Sequence, residues 1–420
     1  MAATQRVQVL VVGAGPAGSA MAAYLARASL SCLVVEAETF PRPHVGESLV
    51  PSSNRVFREI GFLDEMLASD FVVKHGAAWT LPRGARFGVE FAERPQPGVE
   101  ESHTWHVDRA RFDMMLARHA RAQGAEVRFG AAVKSVSIDA GGVDAELSDG
   151  SRVRAELLVD ASGRRTFYGA ARGLKVMDPV FDQFAVHAWF EGFDRGPVTP
   201  EHIFIHFLED PGSWVWQIPI TKGVTSVGLV MPKARLQGRA GDPAALFREM
   251  VSRHPDLARR VDAARRANEF KVEAEYSYEM KAFCGDRFVL IGDAARFVDP
   301  IFSSGVSIAL NGARLAARDA VDAFKTGDLS RASFARFERT LRTGTRNWKR
   351  FIQVYYALNA LFTWFIAKEE YRGPILQLLQ GDVYDETVPV LDELEALIRR
   401  IAADPGHLWH AQLDARFTAL

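Results

Sequence analysis

The stretch Val9-Leu10-Val11-Val12-Gly13-Ala14-Gly15-Pro16-Ala17-Gly18 decides the fold of this 420-residue chain. Its four apolar residues predict a short buried strand, and the alanine-rich segment 19–28 behind it predicts a helix. The glycines between them allow a tight turn, close approach of a pyrophosphate and packing of helix on strand. Free N–H groups at the helix start attract phosphates. The cofactor-binding residues predicted here are Gly13, Gly15, Ala17 and Gly18, and the alternative is a plain glycine-rich loop.

Glu36 supports a dinucleotide site at this turn. It ends a second apolar run, 32–35, and lies about twenty residues beyond the glycines, where a carboxylate can accept hydrogen bonds from a ribose. The pattern indicates a dinucleotide but does not distinguish NAD from FAD. That distinction depends on stretches further along the chain.

Composition narrows the class of protein. The chain is near neutral, with a formal net charge of −1, which gives no reason to expect nucleic acid or an acidic membrane surface as a partner. The only two cysteines, Cys32 and Cys284, are predicted to be unpaired thiols in a reducing compartment. Without a signal peptide or an apolar run of roughly eighteen residues, we expect a cytoplasmic protein with no membrane span. No metal site is predicted.

The order of strand and helix patterns predicts an α/β protein with a discontinuous nucleotide-binding domain. We assign to this domain residues 1–75, 101–170 and 280–325. Residues 76–100 and 171–279 form an inserted antiparallel sheet domain, because aromatic-rich alternating strands follow one another there. Residues 326–420 form a C-terminal helical region. Within these segments we expect one helix over 50–67, one strand over 71–79 and a helical stretch over 243–266.

Three later stretches favour FAD, because they resemble parts of the flavin hydroxylase fold. They are Asp160 at a strand end, the Gly292-Asp293 turn after another strand, and the segment with Arg109 and Arg111. The carboxylate of Asp293 suits the ribityl chain or a ribose, although it can also cap the helix that is expected to open behind it. An arginine at 109 or 111 can bind the pyrophosphate bidentately.

Four further motifs point to a particular family. They are Gly46-Glu47-Ser48-Leu49, Lys74-His75-Gly76-Ala77, Trp214-Val215-Trp216-Gln217-Ile218-Pro219 and Asp299-Pro300-Ile301-Phe302-Ser303-Ser304-Gly305-Val306. With the glycine turn, they resemble the flavin-dependent halogenases, and among these the phenol and pyrrole type, over nearly the whole chain. The resemblance implies a Rossmann-like FAD-binding domain of the flavin hydroxylase fold with an inserted substrate domain. It also adds five FAD-binding residues, namely Ser48, Leu49, Val133, Gly292 and Pro300.

The resemblance implies that FADH2, oxygen and chloride or bromide give hypohalous acid, which crosses an internal tunnel. The acceptor would be an electron-rich phenol or pyrrole, free or tethered to a carrier protein. Lys74 would guide the hypohalous acid by a hydrogen bond or as a haloamine; the alternative is a lysine that extends from a strand edge into solvent. Ser303, Ser304 and Gly305 would bind the halide, because consecutive N–H groups before a helix attract anions, or would only cap that helix.

A tunnel and substrate wall is predicted from Trp214, Trp216, Pro219 and Phe302, with filling of the core as the alternative. Tryptophan halogenases carry a glutamate where this chain has Phe302 and Ser303. Its absence argues against free tryptophan as the substrate, because a phenol or pyrrole is already electron-rich. Another base can assist a phenol, and the unranked candidates are His75, His106, His202 and His206.

Two other functions stay open at this point. One is a flavin hydroxylase or a hydride-transferring reductase on the same fold, and the other is a flavin-binding protein without catalysis. A halogenase would receive reduced flavin from a separate NAD(P)H-dependent reductase, since no second dinucleotide motif is present. The aromatic segment 351–366 is expected to cover the sheet and line the substrate cavity, with an interfacial membrane contact as the alternative.

Overall fold

A six-stranded sheet carries the glycine turn. The computed structural model describes residues 4–82, 84–210, 212–236, 242–274 and 277–419. In spatial order the strands are Cys284–Gly285, Phe288–Leu290, Leu157–Asp160, Val9–Val12, Cys32–Glu36 and Glu126–Phe129, all parallel to their neighbours except the first pair. Helices Pro16–Arg27, Arg109–Ala122 and Gly305–Thr326 pack together beside it. Because Val12, Asp160 and Leu290 are in register, the turns after these strands meet at one edge.

An eight-stranded sheet forms the second layer. Its strands are Arg265–Arg266, Gln183–Glu191, Val224–Pro232, Trp214–Pro219, Ile203–Phe207, Gly76–Thr80 and Arg86–Glu90, with Lys271–Ala274 also paired to Gln183–Glu191. Only the Ile203–Phe207 and Gly76–Thr80 pair is parallel. Both faces are apolar: one packs on helices Pro243–Val251 and Pro255–Ala263, and the other on the C-terminal helices.

Smaller elements complete the described chain. Gln5–Arg6, Arg152–Ala155, Gly142–Leu147 and Val133–Asp139 form a four-stranded sheet; Lys175–Met177, Tyr278–Met280 and Arg296–Phe297 form a three-stranded one; and Val72–Lys74 pairs with Thr104–His106. The remaining helices are Ser52–Ile60, Leu63–Leu67, Phe167–Ala171, Ala335–Leu358, Leu361–Ile366, Glu369–Leu379 and Pro389–Ala403. Among the helices in the described ranges, none is long and apolar enough to cross a bilayer.

The α/β prediction is confirmed, but three continuous elements were predicted wrongly. The expected strand over 71–79 is two strands in different sheets, separated at His75. The expected helix over 50–67 ends at Gly61, whose φ of +82° terminates the first helix. The stretch 243–266 breaks before Pro255, where the His254 side chain caps a second helix, and ends in a strand.

Candidate active site

One cavity of about 670 Å³ runs from the glycine turn to the tryptophan pair, between the two large sheets. Its size is in the range of ligand and cofactor sites. Thirteen residues predicted for the site line it: Gly13, Gly15, Ala17, Glu36, Ser48, Arg109, Val133, Trp214, Trp216, Asp293, Pro300, Ser303 and Gly305. The structure therefore brings the proposed nucleotide, halide and wall residues to a single space.

The other predicted residues do not line the cavity. They are Gly18, Leu49, Lys74, Arg111, Asp160, Pro219, Gly292, Phe302 and Ser304. Gly18 serves the packing of helix on strand, because a Cβ there would overlap the Gly13 carbonyl. Asp160 accepts backbone hydrogen bonds from Ser162 and Tyr168, so its carboxylate holds its own turn. Arg111 is on the exposed side of its helix.

The glycine turn has the geometry of a phosphate cradle. Gly13 has a φ of +103°, and a Cβ there would overlap the Ala161 carbonyl of the neighbouring turn. Glu36 Oε2 accepts a hydrogen bond from the Ala14 N–H at 2.8 Å, and Oε1 accepts one from the Glu38 N–H at 2.9 Å. The Glu36 carboxylate thus fixes the turn while it lines the cavity.

Two arginines are held at the cavity by one buried acid. Arg109 donates to both carboxylate oxygens of Asp113, at 2.8 and 3.0 Å, and to the Val45 carbonyl at 2.7 Å. Arg42 Nη1 donates to the same Asp113 at 3.2 Å. A Cβ at Gly46 would lie 2.9 Å from Arg109, so this loop rests directly on the guanidinium. The pair offers positive charge to a pyrophosphate.

Asp293 presents an open carboxylate to the same cavity. Burial raises the pKa of Asp293 to about 6, although the charges of Arg164, Arg109 and Arg296 oppose this. Within the described ranges, nothing hydrogen-bonds to its side chain. A glycine cradle, two anchored arginines and a free carboxylate are the groups that phosphates and sugar hydroxyls require, so the residues fit FAD.

The predicted halide loop precedes the 22-residue helix Gly305–Thr326. Ser303 adopts a φ of +57°, and Ser304 is the N-cap residue but makes no capping hydrogen bond with its side chain. The buried Ser304 hydroxyl has no hydrogen-bond partner among the described residues. The first N–H groups of a helix have no partner within it, so the helix start meets the cavity at Ser303 and Gly305 as an anion-attracting end.

The two tryptophans form a tethered wall. Their rings are 6.1 Å apart; Trp214 Nε1 donates to the Tyr356 hydroxyl at 3.0 Å, and Trp216 Nε1 donates to Ser226 Oγ at 3.1 Å. The Tyr356 hydroxyl donates to the Asp299 carboxylate at 3.1 Å. Burial raises the pKa of Asp299 to about 7. One hydrogen-bonded chain therefore joins the wall to the residue that opens the halide loop.

Phe302 and Pro219, which were predicted to belong to the wall, do not line the cavity. Phe302 stacks on Phe351 at 4.2 Å and lies within a cluster of aromatic side chains from the C-terminal helices. Pro219 ends its strand, and the neighbouring Ile218 lines the cavity instead.

Lys74 is buried, with 2% of its surface exposed. Its amine donates hydrogen bonds to Ser48 Oγ at 2.9 Å and to the Leu49 carbonyl at 2.8 Å, and lies 5.5 Å from the centre of the Phe91 ring. Burial lowers the pKa of Lys74 to about 7, so a large fraction of the amine is neutral near neutral pH. The lysine does not extend into solvent; it stands behind Ser48, which lines the cavity.

Sequence reasoning missed four residues of this site: Arg42, Glu47, Asp299 and Tyr356. Glu47 is buried beside the wall, accepts a hydrogen bond from Trp189 Nε1 at 2.6 Å, and has a pKa raised to about 7 by burial. It and Asp299 belong to motifs quoted above, which could have marked them. Tyr356 carries no local signal, because its partners come from other parts of the chain.

The fold and the cavity define an FAD-binding flavoprotein, and residues 6–327 match the FAD binding domain family. The chain is 46% identical to a 1H-pyrrole-2-carbonyl-[peptidyl-carrier protein] chlorinase of Pseudomonas fluorescens, over 96% of both chains. It is 30% identical to a 1H-pyrrole-2-carbonyl-[peptidyl-carrier protein] brominase of Pseudoalteromonas luteoviolacea, over 90% of this chain and 92% of the relative.

Solved structures agree with these relatives. The flavin-dependent brominase Bmp2 superimposes with a TM-score of 0.85 at 29% identity, over 95% of this chain and all of the other. The myxobacterial chondrochloren halogenase CndH gives a TM-score of 0.77 at 28% identity, over 94% and 96%. The chain belongs to the flavin-dependent halogenases. The predictions of this family, of FAD and a halide, and of halogenation over the two alternatives are confirmed.

Proposed function

We propose that this enzyme halogenates a pyrrole-2-carbonyl group carried on a peptidyl carrier protein. The identity of 46% to the chlorinase, over nearly the full length of both chains, supports this substrate class. A pyrrole is electron-rich, so attack on an electrophilic halogen does not need the glutamate that tryptophan halogenases carry just before the serine–glycine pair. The chain has Phe302 and Ser303 there. A separate NAD(P)H-dependent flavin reductase would supply reduced FAD.

The observation that carries the proposal is the buried Lys74 amine hydrogen-bonded to Ser48 at the cavity wall. Reduced FAD, when bound, would donate electrons to oxygen, and the halide would give up the remaining electrons that oxygen takes as the halide becomes hypohalous acid and water forms. The Lys74 amine, neutral in part because of its burial, then hydrogen-bonds the hypohalous acid or takes up its halogen. The helix start at Ser303 and Gly305 holds the halide, and Trp214 with Trp216 keeps substrate and water from the flavin.

We also propose how the chain holds FAD. The turn at Gly13, Gly15 and Ala17 receives the pyrophosphate, with Gly18 supporting the turn, and Arg109 adds positive charge to it. Glu36 and Val133 bind the adenosine half, and Asp293 binds the ribityl hydroxyls. Ser48 and Pro300 would border the ring end, whereas Leu49 and Gly292, which do not line the cavity, would act through the turns that they form. Asp160 acts through the turn that it holds rather than by contact.

The test uses reduced FAD, oxygen, and chloride or bromide, with the pyrrole-2-carbonyl group loaded on a carrier protein and products followed by mass. Halogen incorporation is expected for the wild type and for the exposed control Lys222→Ala. It should disappear in Lys74→Ala, which should still bind FAD. A gain of one oxygen that does not depend on halide would contradict the proposal, as would tight FAD binding without any turnover.

A further inference from the structure

A short strand pair places a histidine beside Lys74. Val72–Lys74 pairs antiparallel with Thr104–His106, with Lys74 opposite Thr104 and Val72 opposite His106. Opposite residues of such a pair share a face, as do alternate residues of one strand, so Lys74 and His106 lie on the same face. Ser48 forms a bridge to His106 from the other side. Lys74, His106 and Ser48 are each at most 3% exposed, and Ser48 lines the cavity, so this face is a buried polar cluster at the cavity wall.

The hydrogen bonding of His106 fixes its tautomer. Nε2 lies 2.9 Å from the Glu201 carbonyl oxygen, which can only accept, so the ring proton is on Nε2. Nδ1 then carries a lone pair. This nitrogen is buried and has no hydrogen-bond partner in the described part of the chain. A buried acceptor without a partner destabilises the folded state, and such an atom calls for a functional reason.

Burial, and after it the positive charge of Lys74, keeps the pKa of His106 well below 6.5, although the hydrogen bond to the Glu201 carbonyl opposes this. The imidazole is therefore a neutral base throughout the neutral range, and its lone pair stays available. It cannot hold a proton for long, so it returns that proton readily to a stronger base such as hydroxide. These are the properties of a transient proton acceptor.

The other candidate histidines are less suited. His206 uses both nitrogens, Nδ1 with Thr80 at 2.7 Å and Nε2 with Gln217 at 3.3 Å. Neither nitrogen of His202 makes a hydrogen bond of good geometry within the described residues, although Nε2 lies 3.0 Å from the Glu90 carboxylate, so nothing fixes its tautomer. His75 is exposed. Of the four, and within the described residues, His106 combines a fixed tautomer with a free lone pair on the face of Lys74.

We propose that His106 Nδ1 accepts the proton which the aromatic ring loses when the halogen is delivered at Lys74. The halogen–oxygen bond of hypohalous acid breaks as a carbon–halogen bond forms, which releases hydroxide. The ring C–H bond then breaks, its electron pair restores the aromatic system, and its proton moves to Nδ1. The imidazolium passes this proton to the hydroxide, and water leaves. This inference rests on the proposed function.

The test compares His106→Gln with the buried control His206→Gln, using pyrrole substrate with hydrogen or deuterium on the ring carbons. Glutamine can still donate to the Glu201 carbonyl but has no basic nitrogen. We expect His106→Gln to halogenate at least tenfold more slowly and to show a deuterium isotope effect that the wild type lacks, because C–H cleavage becomes slow. FAD affinity and the halogenation of monochlorodimedone, which reports hypohalous acid, should be unchanged.

Equal rates for the two variants, with no isotope effect in His106→Gln, would overturn the inference and leave the proposed function intact. A wild type that halogenates neither the pyrrole nor monochlorodimedone would instead refute the proposed function. If His106→Gln fails to fold, ¹⁵N spectra of the wild-type histidines decide the question. A neutral imidazole with its proton on Nε2 at pH 7 is expected, and a cation or a proton on Nδ1 would contradict the inference.

Discussion

Replacement of Lys74 by methionine tests how strongly this lysine is buried. In the unfolded chain a lysine binds its proton below about pH 10.4, whereas in the folded protein burial lowers the pKa of Lys74 to about 7. Between these values the unfolded state binds more protons, so the free energy of unfolding rises with pH. For Lys74 the penalty to the folded state is about 4 kcal/mol at pH 7 and about 2 kcal/mol at pH 9.

Methionine is an unbranched side chain one heavy atom shorter than lysine, and it removes the titration. It also leaves Ser48 Oγ and the Leu49 carbonyl without their donor, at a cost of roughly 1–3 kcal/mol per group that is independent of pH. The absolute stability of Lys74→Met mixes these effects. The difference in unfolding free energy between the variant and the wild type changes with pH only through the lysine charge, so its change between two pH values isolates that contribution.

Urea unfolding of both proteins at pH 7 and pH 9, followed by tryptophan fluorescence, gives this difference. The advantage of Lys74→Met over the wild type should fall by about 2 kcal/mol between pH 7 and pH 9. The exposed control Lys222→Met should show no such change. A difference for Lys74→Met that is the same at both pH values would refute the reasoning, because it would mean that the folded lysine titrates like an exposed one.

Three other variants test the tryptophan wall, the arginine anchor and the Asp299 carboxylate. Gly228→Ala should displace Trp216, whose ring a Cβ at 228 would overlap, and should raise the hydrogen peroxide released per halogenated product while FAD stays bound; unchanged peroxide would contradict this. Arg109→Ala should weaken FAD binding about tenfold or more in a fluorescence titration, and Arg111→Ala should leave it unchanged; equal losses would be contrary evidence. Tyr356→Phe removes a hydrogen-bond donor from the Asp299 carboxylate, whose pKa is raised to about 7. The free energy of unfolding should therefore fall by about 1–2 kcal/mol at pH 8, where the carboxylate is ionised, and by less at pH 5. Equal losses at the two pH values would argue against this role.

The nucleotide half of the fold follows from local patterns. Val9–Val12, the glycines and Pro16–Arg27 need only neighbours in sequence to form a strand, a turn and a helix, and they were predicted correctly. The breaks at His75 and Gly61 were missed because apolar residues continue on both sides of each. In such places the choice of sheet partner decides where an element ends, and that choice is made far away in the chain.

In the candidate site too, positions set by the local backbone could be predicted, and positions set by distant contacts could not. Residues whose role depends on the backbone, such as Gly13 or Ser303, lie at the cavity as predicted. The depth of Lys74 could not be inferred from its three-residue strand, because it depends on the pairing with Thr104–His106. Phe302 could not be oriented either, since a short helical turn gives no periodicity from which to assign a face.

The two hydrogen bonds that link Trp214 through Tyr356 to Asp299 constrain how members of this family can diverge. The three residues come from the inserted sheet, a C-terminal helix and the loop before the halide site, so a recombination event in any one segment can separate them. A C-terminal helix taken from another halogenase would have to bring a hydroxyl to the position of Tyr356, or leave an indole and an acid buried without their partner. Exchange of this region to obtain new substrates should therefore succeed when the face that bears Tyr356 is kept and the remaining faces are varied.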